Sequence, residues 1–396
     1  MDFLRIGTVY YKKSKTPLMS GDSYSTLLKW AKGEIITDYG KEYLSDVPKY
    51  DGFCLIPSHM EFKEIVNGYY NNYQKLDHQF VAGEYPTIKM FLGHIFGEQY
   101  DIGIDYLKIL WQYPTQILPI LCLVSEERNT GKTTFLNFLK LIFQGNMTIN
   151  TNDDFRSRFN TDWTSKLIVS VDEVFLDRKE DSERIKNLST TSTFKEESKG
   201  INKVEIEFFG KFVLCSNNEC NFIKVDDKEI RYWVRKVPVL KLEQTDLLDD
   251  LKKELPYFMN YLNSTEVKTK KETRMWFSKN DLHTDALDKL INFNKSDLYK
   301  EIREILLDEF AKFEVEELKY TLRDLNQLLT ANNVRLPTNT ISNLLKTKFN
   351  LTPVNGSYPQ YYISYNLGQN VRVDKTTLKG RYFTFIKADV LLDYVG

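Results

Sequence analysis

The residues with the clearest chemical potential form one short run, Ser125-Glu126-Glu127-Arg128-Asn129-Thr130-Gly131-Lys132-Thr133-Thr134. A glycine, a lysine and a hydroxyl residue between an apolar run and a helical stretch make the P-loop pattern. Loop and helix N-terminal N–H groups surround phosphate oxygens in such a turn, and Gly131 lets the backbone approach closely. Lys132 would reach the β- and γ-phosphates of ATP, and Thr133 would offer a hydroxyl to Mg²⁺. Asn129, Thr130, Gly131, Lys132, Thr133 and Thr134 are therefore the expected nucleotide contacts. The usual first glycine of the pattern is Glu126 here. An acid beside phosphates would repel them, so Glu126 is expected to point away or to pair with Arg128.

About 40 residues downstream, LIVSVDEV places Asp172 and Glu173 at the end of an apolar run. In a P-loop ATPase one such carboxylate joins the Mg²⁺ shell and the second orients or deprotonates the attacking water. Asp172 suits the metal, with Thr133, and Glu173 suits the water. KFVLCSNN then ends a further run with Asn217 and Asn218; an Asn at that tip can hydrogen-bond the water or the γ-phosphate, a sensor role expected of Asn217. Arg231 and Arg235 follow in DDKEIRYWVRKVP. In ring ATPases an arginine after the sensor strand reaches the neighbouring subunit's γ-phosphate and stabilises transition-state charge. The two arginines are four apart and would share one face of a strand; Arg231 is the favoured finger. Each feature alone has a plainer explanation, such as a chance Gly-Lys-Thr, solvated acids or an Asn turn. Their order and spacing argue for a site.

The elements that must position these residues are legible as periodicity. TIKMFLGHIFG and YDIGIDYLKILWQYP place apolar residues three and four apart, predicting two helices, the second closed by Pro114. ILPILCLV, SKLIVSVDEVF, KFVLCSN and RYWVRKVPVL read as strands buried on both faces, and TTFLNFLKLIF as a helix. Strands alternating with helices predict an α/β fold with a parallel sheet. Residues 1–84 read as a small mixed or helical accessory domain, 85–117 as a helical lead-in, 118–262 as the ATPase core and 263–294, with polar KTKKETR, as a linker. Residues 295–396 read as three helices and a β-ribbon, the winged-helix plan.

This series of motifs, from Thr87 to Leu240, resembles the superfamily 3 helicases of small viruses, phages and plasmids, including the helicase part of phage/plasmid primase-helicases. The resemblance implies an AAA+ fold, assembly as a hexameric ring and ATP-driven movement on DNA. It assigns phosphate binding to Lys132 and Thr133, the acidic motif to Asp172 and Glu173, the sensor to Asn217 and the finger to Arg231. The family carries a pore hairpin between acidic motif and sensor; KEESKGINKVEIEF fills that place, with Lys199 and Lys203 as the expected DNA contacts in the pore.

Composition sets the outer bounds. The chain has 396 residues, 42% hydrophobic and 14% aromatic, with 54 Lys and Arg against 55 Asp and Glu. That is too apolar for a disordered chain, and its near-zero charge announces no partner by itself. Locally, Pro337 to Gly396 carry seven Lys or Arg against three Asp, which suits phosphate contact by the C-terminal domain. Four cysteines, Cys54, Cys122, Cys215 and Cys220, lie far apart or inside apolar runs and fit neither a disulfide framework nor a zinc site. No primase-like pairing of acids with histidine occurs in residues 1–84. MDFLRIGTVYYKKSK has no apolar signal core and no apolar run spans a membrane, so a cytoplasmic protein is expected, in a bacterial host if phage-encoded. The leading expectation is a replicative DNA helicase, with a separate primase or polymerase as a candidate partner. The alternative is an ATP-dependent initiator or loader that does not unwind processively. A small-molecule kinase or an inactive scaffold fits the combined motifs less well.

Overall fold

A computed structural model describes residues 2–17, 23–157, 160, 162–176, 178–196, 204–226, 229–241, 246–365 and 371–392. Short runs with no polar alternation cannot leave either face in water, and here they form a sheet covered on both sides. The strands Ile120–Val124, Met147–Asn150, Ile168–Val171, Lys211–Ser216 and Tyr232–Lys236 are all parallel. Counted along the chain, they lie side by side in the order 5-1-4-3-2. Alternation along each strand divides the core in two. Leu121, Leu123, Val213, Cys215 and Trp233 enter one cluster, and Ile120, Cys122, Val124, Phe212, Leu214, Tyr232 and Val234 enter the other.

The first face is covered by the helices Pro86–Phe96, Tyr100–Gln112, Lys132–Phe143 and Leu247–Ser264, which supply Phe91, Ile95, Leu110, Phe135, Phe138 and Phe258. Phe155, Trp163, Ile185 and Leu188 cover the second. All these side chains are essentially inaccessible to water, and each contributes about 1.5–3 kcal/mol of hydrophobic stabilisation. The four strands and three helices expected around the P-loop pattern are present, and the α/β class with a parallel sheet is what the structure has. The strand Met147–Asn150 was not expected. It is four residues long at the sheet edge, and Thr148 and Asn150 break any apolar run.

Residues 1–84 are mainly β. Ser23–Trp30, Val9–Pro17, Phe3–Ile6 and Lys49–Tyr50 form one sheet, and Phe53–Cys54, Tyr69–Asn71 and Ile65–Val66 a second. The helix Lys32–Tyr39 closes a small core of Phe3, Ile35 and Val47. The region is joined to the main core through buried Tyr73. Residues 263–294, read as a linker, are instead packed: Phe277 and Leu282 enter the first core cluster, and Leu287 and Leu290 the second. The polarity of KTKKETR conceals the apolar anchors on either side of it.

Two units partition the chain, Met1–Ile291 and Asn292–Gly396. In the second, the end of the long helix Asp285–Phe313, the helices Leu322–Ala331, Thr338–Thr347 and Lys387–Leu392, and an antiparallel sheet share one core. That sheet has the order Glu317–Thr321, Val371–Ile386, Val354–Tyr365. The strand Glu317–Thr321 carries only two buried residues, Leu318 and Tyr320, too short a signal to read in advance. Among the described residues no helix is long and apolar enough to cross a membrane.

Candidate active site

Parallel strands deliver their C-terminal ends to one edge, and ligands of open α/β sheets bind in the crevice outside that edge. The strand Ile120–Val124 runs into Ser125, whose N–H donates to the Ser216 carbonyl (3.2 Å) and whose Oγ accepts from the Glu127 N–H (3.1 Å). The loop then turns back through two left-handed residues, Asn129 (φ +54°) and Gly131 (φ +83°). Gly131 begins the helix Lys132–Phe143. A side chain at Gly131 would also meet Phe91 at 3.1 Å and Leu240 at 3.3 Å. Two contacts outside the run hold the loop: the His94 ring donates to the Thr130 carbonyl (3.0 Å), and the Leu240 N–H donates to the Asn129 carbonyl (2.9 Å).

Lys132 is buried inside this turn, its ammonium on the Thr130 hydroxyl (3.1 Å) and the Ser125 carbonyl (3.5 Å). Burial lowers its pKa from the ordinary lysine value, opposed by attraction to Asp172 and Glu219. Thr133 Oγ1 donates to Asp172 Oδ2 at 2.9 Å, and Asp172 Oδ1 accepts from the Glu173 N–H at 3.1 Å. Glu173 is itself left-handed (φ +53°) and exposed, and its carbonyl accepts from Asn152 Nδ2 at 3.2 Å. Thr134 lies in the first turn of the helix, half-buried.

The sheet order explains how these groups meet. The strand Lys211–Ser216 lies between the strand that enters the loop and the strand that ends at Asp172. Its tip therefore stands between Lys132 and the acidic pair. Asn217 is exposed there, and its side chain makes no hydrogen bond among the described residues. The Asn218 side-chain oxygen is used locally, accepting from the N–H groups of Cys220 (2.9 Å) and Asn221 (2.7 Å). Of the two adjacent asparagines, the one expected as sensor, Asn217, is thus the one whose side chain is not used locally.

Arg231 and Arg235 are not brought to this edge together. The Ile120 N–H donates to the Arg231 carbonyl (2.8 Å), which puts Arg231 at the start of the strand whose far end enters the loop. At ~3.3 Å per residue, that is about 16 Å from its own Ser125. Glu229 holds Arg231 Nη1 at 2.9 and 3.1 Å, and Nη2 has no hydrogen-bond partner among the described residues. Arg235 is buried, bonded to Glu98 and to Gln99 (3.1 Å), and its Nη2 packs where a side chain at Gly97 would stand. The hydrogen bond from Arg235 holds the Glu98 carboxyl below its ordinary value. Arg235 thus braces the sheet against the helix before it.

Glu126 is exposed and forms no ion pair with Arg128 among the described residues. Lys199 and Lys203 lie outside the described residues. The arms that flank them, Thr193–Glu196 and Val204–Glu207, pair as an antiparallel ribbon with Phe194 opposite Ile206. One group near the site escaped sequence reading: Glu219, buried, bonded to Lys236 and Lys289, each at 2.8 Å. It follows a turn and has no periodic signal to mark it.

The loop, hydroxyl and carboxylate fit a magnesium nucleotide. Mg²⁺ is commonly held by one or two carboxylates together with phosphate oxygens and waters, and Thr133 and Asp172 present two hard oxygens in contact. A family described as one of unknown function (DUF5906) matches residues 123–232, the stretch from the loop to the strand after Arg231. No curated protein matches the chain. Solved structures of the C-terminal region of NrS-1 are similar. An apo structure has 16% identity and a TM-score of 0.58, covering 94% of this chain and 95% of that one. Two A-form apo structures have 16% and 18% identity, with TM-scores of 0.56 and 0.58 and the same coverage. At these identities the likeness is one of fold, extending over nearly all of both chains.

Proposed function

We propose that this chain is an ATP-hydrolysing DNA helicase or translocase for replication of a phage or mobile element. In this reading the parallel sheet is an AAA+ P-loop core, the second unit is a winged helix, and the protein works as a ring, a hexamer by the resemblance of its motifs. The carrying observation is the convergence of Lys132, Thr133, Asp172 and Asn217 at one sheet edge, with Thr133 and Asp172 bonded at 2.9 Å.

The loop N–H groups and Lys132 would bind and orient the phosphates, and Lys132 would offset charge that develops on the β–γ bridge as it breaks. Mg²⁺, held by Thr133 and Asp172, would neutralise phosphate charge. Glu173 would orient a water and take its proton, and Asn217 would hold that water or a γ-phosphate oxygen. Arg231 stands far from its own loop, and its Nη2, without a hydrogen-bond partner among the described residues, supports action on a nucleotide bound by the adjacent subunit. Arginine fingers are worth about 10³–10⁵ in turnover. The hairpin whose arms are Thr193–Glu196 and Val204–Glu207 would carry Lys199 and Lys203 to single-stranded DNA in the pore. The basic second unit would add duplex or single-strand phosphate contacts.

The test is strand displacement on forked DNA, alongside ATP hydrolysis. Wild-type protein should do both, and Lys132→Ala should do neither while keeping its circular dichroism spectrum. ATP hydrolysis without displacement on either fork polarity would refute the helicase reading and leave the initiator or loader. Wild-type turnover in Lys132→Ala would remove the ATP site itself.

A further inference from the structure

A second cleft, of about 680 Å³, opens beside the segment that leads into the strand Ile120–Val124, at the sheet edge away from Lys132. Its walls include Tyr113, Gln116, Lys271, Arg274, Trp276 and His59. Sites for nucleotide-sized ligands run from about 300 to 1,000 Å³. Tyr113 and Trp276 stack with centroids 5.8 Å apart and planes at 27°, and Tyr113 is 50% exposed. Lys271 and Arg274 are exposed and have no ion-pair partner among the described residues. Lys268 to Arg274 holds four cations against one acid, Glu272.

This basic strap and the turn that leads into it are held from beneath by polar side chains, two of them buried. Asp105, 1% exposed, accepts from the Thr269 N–H (2.7 Å), and Lys108, 1% exposed, donates to the Glu266 carbonyl (2.8 Å). Gln112 donates to the Leu262 and Thr265 carbonyls (2.7 and 2.8 Å), and Gln116 to the Arg274 carbonyl (2.8 Å). Trp276 is held left-handed (φ +75°) in a tight turn on Thr273, and its indole N–H donates to Thr269 Oγ1 (3.0 Å). Polar side chains that anchor an exposed cationic strap at both ends, Asp105 at Thr269 and Gln116 at Arg274, and an aromatic residue kept in an unfavourable backbone region, are features of a pre-organised binding surface.

We propose that this cleft binds single-stranded nucleic acid, separately from the Lys132 site, with a base on the Tyr113–Trp276 platform and flanking phosphates on Lys271 and Arg274. Flat rings with nearby cations bind unpaired bases without sequence preference, whereas a duplex hides its base faces. An acidic peptide would use the cations but leave the paired rings without a role.

The experiment measures fluorescence anisotropy of a labelled oligothymidylate on the full chain, without ATP. The proposal rests on the preceding reading only for the choice of DNA as probe, so a failed ATPase assay leaves this test intact. Tyr113→Ala is expected to weaken binding about five- to a hundred-fold, the loss of one base–aromatic stack. Lys271→Ala with Arg274→Ala should lower the slope of log affinity against log salt by about 1.4, two phosphate contacts on a single strand. All three side chains are exposed, so the fold should be unaffected. A 4-thiothymidine oligonucleotide should photo-cross-link within residues 113–117 or 271–276. Unchanged affinity and salt slope in all variants, cross-links elsewhere, or displacement of the oligonucleotide by polyglutamate but not by unlabelled DNA would overturn the proposal.

Discussion

Gly131→Ala is the substitution whose cost the structure defines best. Two terms add. An L-residue at φ +83° is held in the left-handed region that glycine occupies freely, at a cost of about 1–2 kcal/mol. The new Cβ would stand 3.1 Å from Phe91 and 3.3 Å from Leu240. Phe91 is fully buried and packs edge-on to Phe138 at 6.3 Å, so it cannot yield without disturbing the core. Overpacking of this kind costs about 1–3 kcal/mol. The total, roughly 2–5 kcal/mol, would lower the melting temperature by roughly 4–20 °C in a unit of this size. Gly7→Ala separates the terms: its φ is +58°, but the nearest contact to a Cβ is Asp51 O at 3.8 Å. Thermal unfolding followed by circular dichroism should therefore rank wild type, Gly7→Ala and Gly131→Ala in falling order. Equilibrium binding of a fluorescent ATP analogue should fall at least ten-fold in Gly131→Ala alone, because the loop N–H groups are displaced. If Gly131→Ala melts no lower than Gly7→Ala and binds the analogue normally, both the crowding and the phosphate-loop assignment are wrong.

Arg231→Ala should abolish ATP hydrolysis and preserve ATP binding. Mixing it with Lys132→Ala subunits should restore part of the activity, since one variant supplies the intact site and the other the arginine; inert mixtures at every ratio would sink the finger assignment. A pH effect follows from His59, whose Nδ1 donates to the Trp111 carbonyl (2.8 Å) and whose Nε2 accepts from the Tyr73 hydroxyl (2.6 Å). Burial lowers its pKa to about 4, so between about 6.5 and 4 the unfolded chain binds a proton that the folded chain does not. Stability should fall as pH drops through that window, by up to about 1.4 kcal/mol per unit. Urea titrations at several pH values should show the fall in wild type and a flatter response in His59→Asn; parallel curves would refute it.

Most of the candidate site was legible because its signals are local. The runs before Ser125, Asp172 and Asn217 are short, made of apolar or small residues and followed by polar residues of fixed type, so strand, tip and chemistry could be read together. What escaped was either too short or held by distant partners. The edge strand Met147–Asn150 and the strand Glu317–Thr321 have too few apolar positions to show a period. Residues 263–294 looked like a linker because their own polarity says so; their order comes from Asp105, Lys108 and Gln112, which hold Thr269, Glu266 and Thr265 from some 150 residues earlier in the chain.

The arginines show the division most clearly. Four residues apart on one stretch, Arg231 and Arg235 are equivalent to any local reading. Only the packing of the helix ending at Phe96 places Glu98 and Gln99 over Arg235, while Arg231 is left at the opposite end of the sheet. Likewise the sequence alone determined that a loop, an acidic pair and an asparagine exist in that order. That they meet depended on the strand order, which inserts the fourth strand between the first and third. Periodicity is a property of neighbours along the chain, whereas adjacency in a parallel sheet is decided by crossover connections and by which faces must be buried, and no local pattern records that choice.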